Sequence, residues 1–177
     1  FDSGSCVCAA DFDRDGDLDL FVGGRVIPGA YPSIPNSRLL SNDGSGKFKD
    51  VTETSATSLK KTGMVTSAIW ADIDNDNWPD LIVAHEWGPV KLYHNAQGRL
   101  KPQSLDTDNL TGWWNGLAAG DIDNDGDLDI IASNFGLNTK YKATIDAPEL
   151  LFYGDFDGDG DRELLEAGFE NGQCFPH

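Results

Sequence analysis

Short apolar runs framed by clusters of Asp, Asn and Gly recur along this chain. Leu20 to Val22, Leu81 to Val83 and Ile130 to Ile131 are β-branched or aromatic runs of strand length. On the other side of the polar clusters stand small or apolar runs at Cys8 to Ala10, Ala68 to Ala71, Leu117 to Gly120 and Leu150 to Gly154. Runs this short, bounded by turn residues, predict strands rather than helices. Two further segments fold back on themselves: Arg38 to Val51 turns at Asn42, Asp43 and Gly44, and Val90 to Leu100 turns at Asn95 to Gly98. Asn and Gly supply the positive-φ positions that such hairpins need. Pro28, Pro32 and Pro35 make 27–36 a surface excursion. Helical candidates are confined to Ala143 to Leu151 and Glu163 to Phe169. With no linker or low-complexity tract, no domain boundary is placed within 1–177.

The polar clusters are themselves a repeat, which must be read before anything else. The first holds Asp11, Asp13, Asp15, Asp17 and Asp19 around Gly16. The second holds Asp72, Asp74, Asp76 and Asp80, with Asn77 in place of the glycine and Trp78 at the seventh position. The third holds Asp121, Asp123, Asp125, Asp127 and Asp129 around Gly126. The fourth holds Asp155, Asp157, Asp159 and Asp161 around Gly160, and closes on Glu163. Each cluster joins two strands. With its hairpin, a repeat of about 50–60 residues carries about four strands, the content of one propeller blade. The fold expected is therefore all-β, with about three blades.

Carboxylates at alternate positions of a tight loop suit Ca²⁺, which takes six to eight oxygen ligands. The first, third and fifth residues would offer side-chain oxygens, the seventh (Asp17, Trp78, Asp127, Asp161) its backbone carbonyl, and the ninth a closing carboxylate. Helix-flanked calcium loops of the EF-hand and dockerin type close instead on a twelfth-position Glu. The twelfth residues here are Val22, Val83, Ala132 and Glu166, whereas the ninth is acidic in all four copies. A solvated acidic turn explains one such loop, but not four with the same spacing. Up to four Ca²⁺ ions are expected, and they would cancel nearly half of the formal net charge of −17.

That charge also narrows the partners, since an acidic surface repels nucleic acid and anionic membranes. No apolar run is long enough to span a membrane. Cys6 and Cys8 lie two apart, poor spacing for a mutual disulfide, and Cys174 is distant. The pair reads as two buried small residues in preference to a thiol metal site. Asn109 to Thr111 forms a glycosylation sequon short enough to arise by chance.

The quoted residues resemble the FG-GAP/VCBS-type repeat family, whose Asp-x-Asp-x-Asp-Gly-x-x-Asp loops also occur in integrin α-subunit propellers. Ala9 to Gly23 and Ser41 to Thr52 are similar to it, and Gly112 to Asn115, the third loop and Asn134 to Asn138 resemble secreted bacterial members related to cartilage acidic protein. The resemblance implies a seven-bladed β-propeller, a secreted, periplasmic or cell-surface location, and adhesion to a protein or glycan partner. Three blades are too few to close such a ring. Because the chain opens just before one loop and stops soon after another, it is expected to be a segment of a larger propeller.

No catalytic constellation accompanies the loops. His85 and Glu86 at a strand end read as an exposed polar pair, and His94 beside its turn as solvent-facing. Trp70, Trp78, Trp87, Trp113 and Trp114 admit sugar stacking, so a lectin-like propeller or a calcium-dependent polysaccharide lyase is the alternative to a non-enzymatic adhesion module. In a strand, one of Trp113 and Trp114 must face inward.

Overall fold

A computed structural model describes residues 2–136 and 138–177. Phe1, and Leu137 within the Asn134 to Asn138 stretch, lie outside the described residues. The chain divides into two compact units, one ending at Asn134 and the other running from Phe135 to His177.

Antiparallel meanders build the first unit. β1 (Ser3–Ala10), β2 (Asp19–Val26), β3 (Arg38–Asn42) and β4 (Phe48–Asp50) hydrogen-bond in chain order. β5 (Met64–Ala71), β6 (Asp80–Gly88), β7 (Lys91–Asn95) and β8 (Leu100–Gln103) repeat the pattern. β7 pairs with β6 only at Leu81, Ile82 and Val83. Beyond that point β9 (Gly112–Gly120) pairs with Glu86 and Gly88 of β6, and it pairs in turn with β10 (Asp129–Asn134). Among the described residues the sheets form no closed barrel or propeller ring.

Each polar loop connects two consecutive antiparallel strands, and both hairpins turn where Asn and Gly predict. A single helical turn, α1 (Thr52–Ser55), follows β4 and has no counterpart in the sequence expectation. With the 3-10 turn at Thr57–Leu59 it places Ala56 and Leu59 in the core.

Strand alternation gives β6 two apolar faces. Leu81 and Val83 pack with Phe21 of the first sheet, while Ile82 points the other way and packs with Trp114, Leu117 and Ala132. Phe21 and Ile82 both stand two residues after their closing aspartates. The first meander therefore packs on one face of β6, and β9 and β10 contribute to the core on its other face. Ile131, at the corresponding place in β10, is 51% exposed, and Val7, beside Val22 on the opposite face of the first sheet, is 61% exposed.

The second unit is a three-stranded antiparallel sheet of β11 (Leu150–Gly154), β12 (Glu163–Glu170) and β13 (Gln173–Pro176). Both helical candidates are corrected here. Glu163 to Phe169 lies within β12, where partners on both sides satisfy the backbone and Gly168 would weaken a helix. Ala143 to Leu151 is irregular up to Leu150: Pro148 disfavours helix for Ala147, which instead exchanges backbone hydrogen bonds with Thr144 at 3.0 and 3.3 Å. Phe152 and Tyr153, like Leu164 and Leu165, are adjacent and exposed, so both faces of this sheet are apolar.

Candidate metal centre

The four loops share one hydrogen-bond scheme. The first aspartate accepts from the amide of the sixth residue in every copy: Gly16 to Asp11 at 3.1 Å, Asn77 to Asp72 at 2.8 Å, Gly126 to Asp121 at 3.2 Å and Gly160 to Asp155 at 3.0 Å. The closing carboxylate accepts from the second residue: Phe12 to Asp19 at 3.2 Å, Ile73 to Asp80 at 3.1 Å, Ile122 to Asp129 at 2.9 Å and Phe156 to Glu163 at 2.7 Å. Fifth-position carboxylates Asp15, Asp76, Asp125 and Asp159 accept from the seventh amide. These bonds hold the ring of carboxylates against its own repulsion.

Two positions of each loop turn left-handed. The sixth does so as its composition predicts, at φ 100° for Gly16, 69° for Asn77, 97° for Gly126 and 95° for Gly160. The fourth does so as well, at 59° for Arg14, 59° for Asn75, 62° for Asn124 and 81° for Gly158. Asn and Gly at three of those fourth positions were a legible signal for this second turn.

Oxygen donors converge in all four copies. One ligand atom from each of Asp11, Asp13 and Asp15 lies within 4.8 Å of the others, and the same holds for Asp72, Asp74 and Asp80, for Asp121, Asp123 and Asp129, and for Asp155, Asp157 and Glu163. Two ligands facing each other across a calcium ion with bonds of about 2.4 Å would be about 4.8 Å apart, so this spacing fits. Two of the seventh-position side chains turn elsewhere: Asp127 Oδ1 accepts from Asn75 Nδ2 at 3.1 Å, and the Trp78 ring lies 5.3 Å from the Arg14 guanidinium.

The first loop carries a more telling sign. Asp13 Oδ1 is buried without a hydrogen-bond partner, one of two such side-chain atoms among the described residues, the other being Thr66 Oγ1. The Asn95 to Gly98 turn lies over it, close enough that a Cβ on Gly98 would come within 3.3 Å of Asp13 Cβ. Burial, followed by the charges of Asp15 and Asp11, raises the Asp13 carboxyl above its ordinary range. Burial likewise raises Asp19 and Asp80. An oxygen in that position suits a cation.

Expectations for the histidines are overturned. His85 is 1% exposed, because β6 is a central strand covered on both faces. Its Nδ1 donates to Pro89 O at 2.7 Å, which leaves Nε2 to accept from Thr62 Oγ1 at 2.9 Å, and Tyr93 donates to the same hydroxyl at 2.6 Å. Glu86 is held by Arg25 and by the Tyr31 hydroxyl. His94 is half-buried and brings Nδ1 to 3.3 Å from Asp74 Oδ2 and 3.2 Å from Asp80 Oδ1. Sequence spacing could not show this, since the hairpin returns β7 alongside the closing end of its own loop.

Cys6 and Cys8 are half-buried and pack against the first core, as small apolar residues would. The acidic clusters of the described residues include neither.

The chain finds no match among curated proteins. The pattern of the FG-GAP-like repeat matches residues 11–83 and 72–132. Each match opens on the first aspartate of one loop and runs through the next loop into the strand beyond it, so the matched unit is the loop and meander described above. The chain belongs to the FG-GAP-like repeat family.

Proposed function

We propose that this chain is an extracellular calcium-stabilised repeat module that displays surfaces for a protein or cell-surface partner, with its ions acting structurally and not in catalysis. The observation that carries this reading is the buried, unpartnered Asp13 Oδ1 inside a carboxylate ring. The same loop scheme recurs in all four copies, and family membership supports a repeat module outside the cell. Asp11, Asp13, Asp15 and Asp19, with their counterparts in the other loops, would hold the ion. Its chemistry there is charge compensation, fixing a loop that otherwise crowds like charges.

The histidines support binding in preference to catalysis. Both His85 nitrogens are committed inside the core, His177 Nε2 lies 2.7 Å from Glu149 Oε2, and His94 faces the carboxylates of the second loop. Nor do the tryptophans favour sugar stacking. Trp70 lies against Phe12 with its indole donating to Cys8 O, Trp87 meets Trp113 edge to face, and Trp114 joins the second core. No helix of the described residues is long and apolar enough to cross a membrane.

Calorimetric titration with Ca²⁺ tests the reading. Ca²⁺ should bind, raise the melting temperature, and be outcompeted only by a large excess of Mg²⁺, which demands a stricter octahedral shell. A melt that is the same in Ca²⁺ and in chelator would refute it.

A further inference from the structure

The second loop differs from the others in having a nitrogen at its mouth. Asn42 and Asn95 hold the same place in their repeats, each donating its backbone amide to the closing aspartate, at 2.8 Å to Asp19 and 2.7 Å to Asp80. The residue before each therefore lies beside the cage. In the first repeat it is Ser41, whose hydroxyl turns to Asn42 O at 3.5 Å. In the second it is His94, and one ligand atom from each of Asp74, Asp76 and His94 lies within 4.8 Å of the others. The remaining loops place no histidine among their carboxylates.

Donor chemistry decides what such a site prefers. Ca²⁺ is a hard ion that takes oxygen ligands almost exclusively, whereas imidazole suits first-row transition ions and adds affinity for them that carboxylates alone do not give. Adjacent ligands of an octahedral ion with bonds of about 2.1–2.3 Å lie about 3.0–3.3 Å apart, which matches the separation of His94 Nδ1 from its two carboxylate oxygens. The His94 ring is 30% exposed, so the ion has an approach from solvent. We propose that the second loop is a mixed nitrogen and oxygen site that selects a first-row transition dication over Ca²⁺, with His94 Nδ1 joining Asp74, Asp76 and Asp80. This rests on the loops being cation cages, and it separates one of them from the other three.

The test uses Mn²⁺ and the full chain. With Ca²⁺ present in excess, one Mn²⁺ should remain bound, and pulsed EPR should show a directly coordinated ¹⁴N nucleus. His94→Ser, which installs the residue of the first repeat, should abolish the nitrogen coupling and weaken Mn²⁺ at least tenfold, while the rise in melting temperature with Ca²⁺ persists. Absence of nitrogen coupling in the parent protein, or equal Mn²⁺ affinity in the two, would overturn the proposal. Should Ca²⁺ leave both melts unchanged while the nitrogen coupling is present, the calcium reading fails and the His94 site stands.

Discussion

The side-chain amide of Asn95 donates to the carbonyl of Phe12, 2.8 Å away and 83 positions earlier in the chain. The same nitrogen donates to Pro79 O at 3.0 Å, its oxygen accepts from Gly98 N at 2.8 Å, and its backbone amide donates to Asp80. One buried side chain thus ties the first loop, the second loop and a hairpin turn together. Asn42 makes the local bonds of the same set, to Leu18 O and from Gly46 N, in a more open setting.

Asn95→Ala should therefore cost about 3 kcal/mol, since it strands two buried carbonyls, and Asn42→Ala only about 1 kcal/mol. Asn95→Asp, though of the same shape, should be no milder, because its carboxylate would face two carbonyl oxygens. Urea denaturation at fixed Ca²⁺ checks the order; equal losses at both positions would contradict the bridging role.

Asp13→Asn should change sign with the medium. In chelator it removes a crowded buried charge and should raise the melting temperature by a few degrees. In millimolar Ca²⁺ it removes a ligand and should lower it. A shift of the same sign in both media would argue against an ion beside Asp13 Oδ1.

Burial pulls His85 from its ordinary 6.5 down to about 4, aided by the nearby Lys91 charge. The folded state therefore keeps the imidazole neutral where the unfolded chain protonates it. Its contribution is fully present above pH 6.5 and is lost as pH falls toward 4, amounting to about 3 kcal/mol over that window. Histidine NMR titration should show one ring with a midpoint near 4; a midpoint near 6.5 for every histidine would remove this source of acid sensitivity.

Thiol chemistry should distinguish the cysteines. Burial pushes Cys8 up to about 12 and raises Cys6, whereas Cys174 is exposed. A disulfide reagent at neutral pH should modify one thiol quickly in the native protein and all three after denaturation. Rapid modification of Cys8 would show that β1 opens readily.

The loops and their hairpins were legible because Asp, Asn and Gly at fixed intervals leave the backbone few choices. In each loop the first and third residues converge with either the fifth or the ninth. What stayed hidden was whatever depends on a second strand. His94 was placed in solvent because its neighbour in sequence is a turn, yet its neighbours in space are Asp74 and Asp80. The place of His85 near a strand end suggests exposure, whereas Thr62 bonds the ring and the backbone at Gly63 and Gly88 packs against it. Glu163 to Phe169 has helical composition, and pairing with β11 and β13 outweighed that propensity. Glu163, one methylene longer, closes its loop as the aspartates do, accepting from Phe156 N at 2.7 Å.

The two-sided apolar pattern of β6 has an energetic corollary. Leu81 and Ile82 are adjacent in sequence yet serve different interfaces, so truncating either should loosen a different neighbour at a comparable cost of about 2–5 kcal/mol. Stability in such a stack is a sum over nearest neighbours, as in other repeat arrays. A defect in one sheet is felt by the next through a shared wall one strand thick, and damage spreads along the stack instead of averaging over a common core.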